Sequence, residues 1–254
     1  RTVKLQNAEG QQFCGWVRVG HRPAKNTLSV TVSESLLPVL PEVLARIKNL
    51  FDLYCEPKAV YETLQVMNTL QPGLCVLGTR LPGCFNVFEM SVRAVLGQQI
   101  TVKAASTLAA RLVAVYGTQV QTGIEGLTHS FPAPAAILAL GENISEHLGK
   151  LGIISARANT IYQLARVLAD EKNDFGFCGN PEEEMQKLQA IRGIGSWTAQ
   201  YIAMRAMGWP DAFLPTDAGI KKALPDHTPK ELQVLSEAWR PWRSYATVNL
   251  WNTL

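Results

Sequence analysis

The residues whose types and spacing can do chemistry are concentrated in one run, LQAIRGIGSWTAQYIAMRAMGWPDAFLPTDAGIKKAL, at positions 188–224. Gly193, Ile194 and Gly195 make a tight glycine-flanked turn just ahead of a helix start at Ser196, an N-cap type of residue. Such a turn leaves backbone N–H groups unspent and aimed outward, which suits a phosphate or another anion. Asp217 stands two residues after Pro215, at the start of the next helical stretch. A carboxylate there is most often an N-cap that accepts backbone N–H groups. Thr216 can equally be the cap, which would free the Asp217 carboxylate to act on something bound beside the turn. One device grips a charged backbone, and the other can do chemistry next to it.

Other candidates are weaker when read alone. Trp197 and Tyr201 are one helical turn apart and share a face, as core aromatics commonly do. Gln98-Gln99-Ile100 interrupts two helical stripes and reads as a turn. The histidines His21, His129, His147 and His227 are far apart and have no ligand spacing. The five cysteines, Cys14, Cys55, Cys75, Cys84 and Cys178, are scattered, odd in number and without a C-x-x-C pair. That pattern supports neither a disulfide framework nor a zinc site nor an iron–sulfur cluster, and fits reduced thiols in the cytoplasm. The net charge of +3 permits nucleic-acid binding without demanding it. From Lys187 onward eight basic residues face five acids, a mild excess that suffices where backbone amides do the gripping. No apolar run is long enough to cross a bilayer, and no secretory signal opens the chain.

The elements that must position these residues follow from periodicity. Positions 1–33 alternate in the manner of three strands, and the sheet is expected to continue upstream of Arg1. From Pro38 the period turns helical, with Leu40, Val43, Leu44, Ile47 and Leu50 on one stripe. Gln71-Pro72-Gly73 and the run from Gly78 to Gly83 form a linker. Beyond it almost everything reads as helix, including 101–116, 155–169, 228–239 and 241–250, with surface loops near 117–126 and 170–180. The expectation is an α+β chain: a partial N-terminal antiparallel sheet with helices over 1–72, then two all-helical subdomains over 73–254. A helix-hairpin-helix motif at about 182–208 belongs to the second part.

Taken together, LQAIRGIGSWTA at 188–199 and FLPTD at 213–217 resemble the helix-hairpin-helix DNA glycosylase superfamily. LFDL at 50–53 with Cys55, FEMSVRAVLGQQ at 88–99 and WRPWRSYA at 239–246 resemble it in the same order, most closely the bacterial 3-methyladenine DNA glycosylase II type. The resemblance spans essentially the whole chain. It implies an enzyme of base excision repair that flips alkylated purines out of double-stranded DNA and hydrolyses the N-glycosidic bond. By the same resemblance Asp217 is the catalytic carboxylate, and Trp197, Tyr201 and Trp251 line the base pocket, with a cationic base held between electron-rich rings. Gly193, Ile194, Gly195, Ser196 and Thr198 of the hairpin, Gln98 and Gln99 of the turn, and Arg243 are implied DNA contacts, with Arg240 as a further phosphate contact. Gln99 stands where relatives carry an apolar wedge that fills the gap left by the flipped nucleotide. The carbonyls of Gln189, Ile191 and Gly193 are the implied holders of a structural Na+ or K+, and no other cofactor is required. Bifunctional relatives carry a lysine that forms a Schiff base where this chain has Trp197, which implies a monofunctional enzyme. Two other readings remain at this point: a helix-hairpin-helix module that binds DNA without chemistry, and an oxidised-base glycosylase with lyase activity. A monomer in the cytoplasm, associated with the nucleoid and joined to an upstream module, completes the expectation.

Overall fold

The computed structural model of the chain describes residues 1–7, 9–169 and 180–254. Most of the loop expected at 170–180, and Cys178 with it, lies outside the described residues.

Three strands, β1 (Thr2–Gln6), β2 (Gln12–Arg22) and β3 (Thr27–Val32), pair antiparallel in that order, with Thr2 opposite Trp16 and Val17 opposite Val32. Alternation puts Val3, Leu5 and Val17 on one face. There they meet Leu36 and Val39, and Val43 and Ile47 of helix α1 (Leu40–Leu50), with Phe85 closing the cluster from further along the chain.

The second apolar cluster is much larger. It takes in helices α2 (Pro57–Leu64), α3 (Val87–Leu96), α4 (Val102–Tyr116), α5 (Pro134–Leu138), α6 (Ile144–Gly149) and α7 (Ser155–Leu168). It continues through α8 (Pro181–Gln189), α9 (Ser196–Arg205), α10 (Ala218–Ala223), α11 (Pro229–Leu235) and α12 (Arg243–Trp251). A two-residue pair joins β4 (Thr118–Gln119), in the stretch expected to be a polar loop, to β5 (His129–Ser130) just beyond it. The two expected helical subdomains share one continuous apolar cluster. Val60, Leu64 and Met67 are buried in it, whereas Phe85 belongs to the sheet's cluster. Packing therefore changes hands between α1 and α2, upstream of the Gln71-Pro72-Gly73 linker that suggested a division at 72.

Helix starts follow their caps. Asn86 accepts from Glu89 N at 2.8 Å and Thr101 from Ala104 N at 3.2 Å. Caps of this kind stabilise a helix by about 1 kcal/mol each. Asn180 caps α8, Pro181 takes its first position, and Glu182, Glu183 and Glu184 complement the helix dipole in the first turn. Helix α3 buries Phe88, Ser91, Val92, Ala94, Val95 and Leu96 and packs against both α7 and α9. That packing brings the turn after α3 to the hairpin between α8 and α9.

Candidate active site and nucleic-acid interface

The hairpin is built around Gly193, whose φ of +96° is a left-handed conformation that costs other residues roughly 1–2 kcal/mol. A methyl group at Gly193 would also overlap the Thr160 hydroxyl of α7. Thr160, itself buried, donates to the Arg192 carbonyl at 2.9 Å and to Ala156 O at 3.0 Å. Ile194 is buried and donates its N–H to Ile191 O at 3.0 Å, tying the turn down from inside. Gly195, not the expected Ser196, is the N-cap residue of α9, and Ser196 is the first helical residue. No side chain caps this start. The backbone N–H groups of Gly195, Ser196, Trp197 and Thr198 have no acceptor among the described residues. A Cβ at Gly195 would meet nothing within 4 Å, so the protein itself does not require a glycine there.

Gln98 fastens the neighbouring turn to this hairpin. Its side-chain amide donates to Gly193 O and to Thr198 Oγ1, both at 2.9 Å, and its backbone carbonyl accepts from Arg157 of α7. Thr198 is 3% exposed. Its hydroxyl therefore serves the junction between turn and hairpin, which leaves the backbone N–H as the group Thr198 can offer to DNA. Next to this pinned residue, Gln99 is exposed and holds φ +54°, one of three non-glycine residues with positive φ among the described residues. An exposed residue kept in a strained conformation beside a fastened neighbour is a position where function, rather than packing, retains the strain.

Asp217 is the N-cap of α10, and Thr216 is not. The carboxylate nevertheless does more than cap. Its Oδ1 accepts three N–H groups: Gly219 N at 2.9 Å, Ile220 N at 3.1 Å and the Trp251 indole at 2.8 Å. Its Oδ2 accepts one, from the Trp197 indole at 3.0 Å. Asp217 is 8% exposed. Trp197 and Tyr201, from α9, stack at 5.2 Å with 9° between their planes. Tyr201 and Trp251 are 6.3 Å apart and tilted by 49°. The Arg205 guanidinium lies 5.7 Å from the Tyr201 ring and donates to its hydroxyl at 3.2 Å. All three rings are half-buried, and two of them donate directly to the carboxylate. Trp197 and Tyr201 each cover one face of the other. The tilted space between Tyr201 and Trp251, or the outer face of Trp197, remains for stacking.

Arg243 is elsewhere and otherwise engaged. It is 6% exposed and clamps Asp211 bidentately, Nε to Oδ1 at 2.8 Å and Nη2 to Oδ2 at 2.9 Å, with a further bond from Nη2 to the Asp211 carbonyl. Arg240 adds a bond to Asp211 Oδ2 at 2.7 Å and one to Glu237. Burial and the bidentate pair turn Arg243 toward Asp211 and leave little of it to meet a phosphate, unlike the role expected of it; Trp239 is buried beside Phe213. A cavity of about 480 Å³ lies between β1 and the start of α3, lined by Lys4, Phe85 and Phe131 among others, and contains none of the carboxylate–indole residues. The chemistry of the donor set, not cavity size, marks the site.

Among the described residues no group of three or more His, Cys, Asp or Glu side chains can hold a metal ion, and no helix is long and apolar enough to cross a membrane. Of the carbonyls of Gln189, Ile191 and Gly193, Ile191 O and Gly193 O each accept one N–H group and keep a second lone pair.

Gly219 is a site residue that the sequence expectations do not include. A Cβ there would lie 2.7 Å from Trp251 Cδ1 and 3.0 Å from Asp217 Oδ1, so the carboxylate and indole close over a bare backbone. A glycine two residues after a candidate catalytic carboxylate, inside a helix start, was the available signal.

A helix-hairpin-helix with free amides thus stands beside an aspartate that two indoles bond at the next helix start. Residues 92–243 match the HhH-GPD superfamily base excision DNA repair proteins, and the chain belongs to that family; residues 1–86 match the AlkA N-terminal domain. More particularly, it is 38% identical over 230 residues to DNA-3-methyladenine glycosylase 2 of Escherichia coli, covering 91% of this chain and 78% of that one. A probable bifunctional transcriptional activator/DNA repair enzyme AlkA of Mycobacterium tuberculosis is 40% identical over 216 residues, 83% of this chain and 42% of that one. The chain thus spans less than half the length of that second relative. In fold it is similar to a solved 3-methyladenine DNA-glycosylase from Archaeoglobus fulgidus, with a TM-score of 0.75, 20% identity, and coverage of 98% of this chain and 85% of the other.

Proposed function

We propose that the chain is a monofunctional DNA glycosylase that excises alkylated purines, of the 3-methyladenine and 7-methylguanine type, from double-stranded DNA in base excision repair. The observation that carries this reading is the Asp217 carboxylate, bonded by the Trp197 and Trp251 indoles and standing beyond a helix start whose amides are free to take a phosphate. The hairpin amides of 195–198 hold the damaged strand by its backbone, which fixes position without reading sequence. Gln99, exposed in its left-handed turn, fills the gap in the stack when the nucleotide flips. The flipped base, positively charged once alkylated, stacks on the aromatic faces and gains cation–π attraction. A carboxylate beneath the sugar then stabilises the positive charge that develops on it as the glycosidic bond breaks, and orients the attacking water. Because the charged base leaves readily, no strong general acid is needed. A monovalent cation at the carbonyls of Gln189, Ile191 and Gly193 would add positive charge beside the bound phosphate.

Trp197 at the position of a Schiff-base lysine supports hydrolysis over lyase chemistry, and the relatives named for 3-methyladenine support the substrate class. Incubation with methylated duplex DNA tests both. Free 7-methylguanine and 3-methyladenine should be released with the strand left intact, and borohydride should trap no protein–DNA adduct. A trapped adduct would overturn the monofunctional reading; no base release would overturn the enzyme.

A further inference from the structure

The two oxygens of Asp217 are not equivalent, and the difference traces to a residue that makes no side-chain contact of its own. Oδ1 carries three donors and is spent. Oδ2 carries only the Trp197 indole and keeps a lone pair. The third donor on Oδ1, the Trp251 indole, comes from the end of α12 and reaches Asp217 by lying against Gly219. A methyl group at Gly219 would meet Trp251 Cδ1 at 2.7 Å and Trp251 Nε1 at 2.9 Å, closer than packed carbons and nitrogens approach. Trp251 is the last residue of a helix whose preceding residues are buried, so room for a methyl group has to come from a shift of the ring, which draws its N–H off the carboxylate.

Nothing in the backbone asks for glycine at 219. It is the second residue of α10, outside the positive-φ set. There alanine would be the better helix former. The observed glycine therefore weakens its helix, and the contact with Trp251 accounts for it. We propose that Gly219 is a positioning residue: its missing side chain admits the Trp251 indole to Asp217 Oδ1, which locks the carboxylate so that Oδ2 faces the sugar. This deepens the glycosylase reading and rests on it.

The test is Gly219→Ala in the full chain, compared with Trp251→Phe, which keeps a ring and loses the donor, and with the double variant. Single-turnover release of 7-methylguanine reports the chemical step, while anisotropy on a duplex carrying a non-hydrolysable abasic analogue reports binding. Gly219→Ala should stay folded, its melting temperature lowered by no more than the loss of one such hydrogen bond, and bind the analogue within about twofold. Its release rate should fall by about tenfold or more, the worth of one hydrogen bond to a charged group. Trp251→Phe should lose a similar factor, and the double variant no more than the larger single loss, because both remove the same bond. A wild-type release rate in Gly219→Ala, or losses that multiply in the double variant, would overturn the assignment. If Asp217→Asn abolishes release while Gly219→Ala leaves it intact, the positioning role fails and the enzyme reading stands; if Asp217→Asn retains release, both fall.

Discussion

Replacing Asp217 by asparagine separates the capping role of this residue from its chemistry. Asparagine caps helices about as well as aspartate, and its carbonyl oxygen can keep the bonds from Gly219 N, Ile220 N and the Trp251 indole. Those three donors decide which way the amide points, since turning it over would set its NH2 against all of them. The NH2 must then face the Trp197 indole, where Oδ2 accepted at 3.0 Å, and two donors meet. The loss is one hydrogen bond to a charged group, about 1.5–3 kcal/mol, a fraction of the roughly 5–15 kcal/mol that holds a domain folded. The chemical loss is larger. A carboxylate about 4 Å from a developing unit positive charge is worth about 4 kcal/mol at the effective dielectric of a partly open site, or about a thousandfold in rate. Single-turnover release of 7-methylguanine should therefore fall by that order, while affinity for damaged duplex holds or rises because a negative charge facing a polyanion is gone. A folded Asp217→Asn variant that excises within about tenfold of wild type would refute the electrostatic argument, and a variant that fails to fold would show that the donor–donor contact with Trp197 costs far more than one hydrogen bond.

Gly195→Ala should leave melting within about 1 kcal/mol of wild type, because its new methyl group meets open space. DNA affinity should drop by about tenfold on damaged and undamaged duplexes alike, since a phosphate contact carries no sequence information; unchanged affinity in a titration would reduce the hairpin to a simple turn. Arg243→Ala breaks a buried, bidentate ion pair and should destabilise the fold by about 3–5 kcal/mol, seen as a lower denaturant midpoint, with the salt dependence of DNA binding unchanged in the folded fraction. A stable Arg243→Ala protein with a weaker salt slope would return that arginine to the DNA surface.

Much of this protein is legible in the residues as they come along the chain. The 3.6-residue stripes, the alternation of β1 to β3, the glycine turn at 193–195, and the carboxylate at a helix start are local patterns, and local sterics and hydrogen bonding decide them. The stacked Trp197–Tyr201 pair is local too, being one turn of one helix. What depended on the tertiary structure is every partnership between residues far apart. Trp251 reaches Asp217 across 34 positions, Arg243 finds Asp211 across 32, and Gln98 fastens to Thr198 across 100. No propensity or spacing sets such pairings, because they are fixed by which apolar faces pack together, and packing places side chains whose own neighbours in sequence do not constrain them. So a run of residues could nominate Asp217, yet only the meeting of α9, α10 and α12 determined which of its oxygens is bound fast and which is left to react. The same meeting buried Arg243, whose sequence context resembles that of an exposed cation. It also gave Gly219 a reason to be glycine, because the indole that needs the space arrives from the far end of the chain.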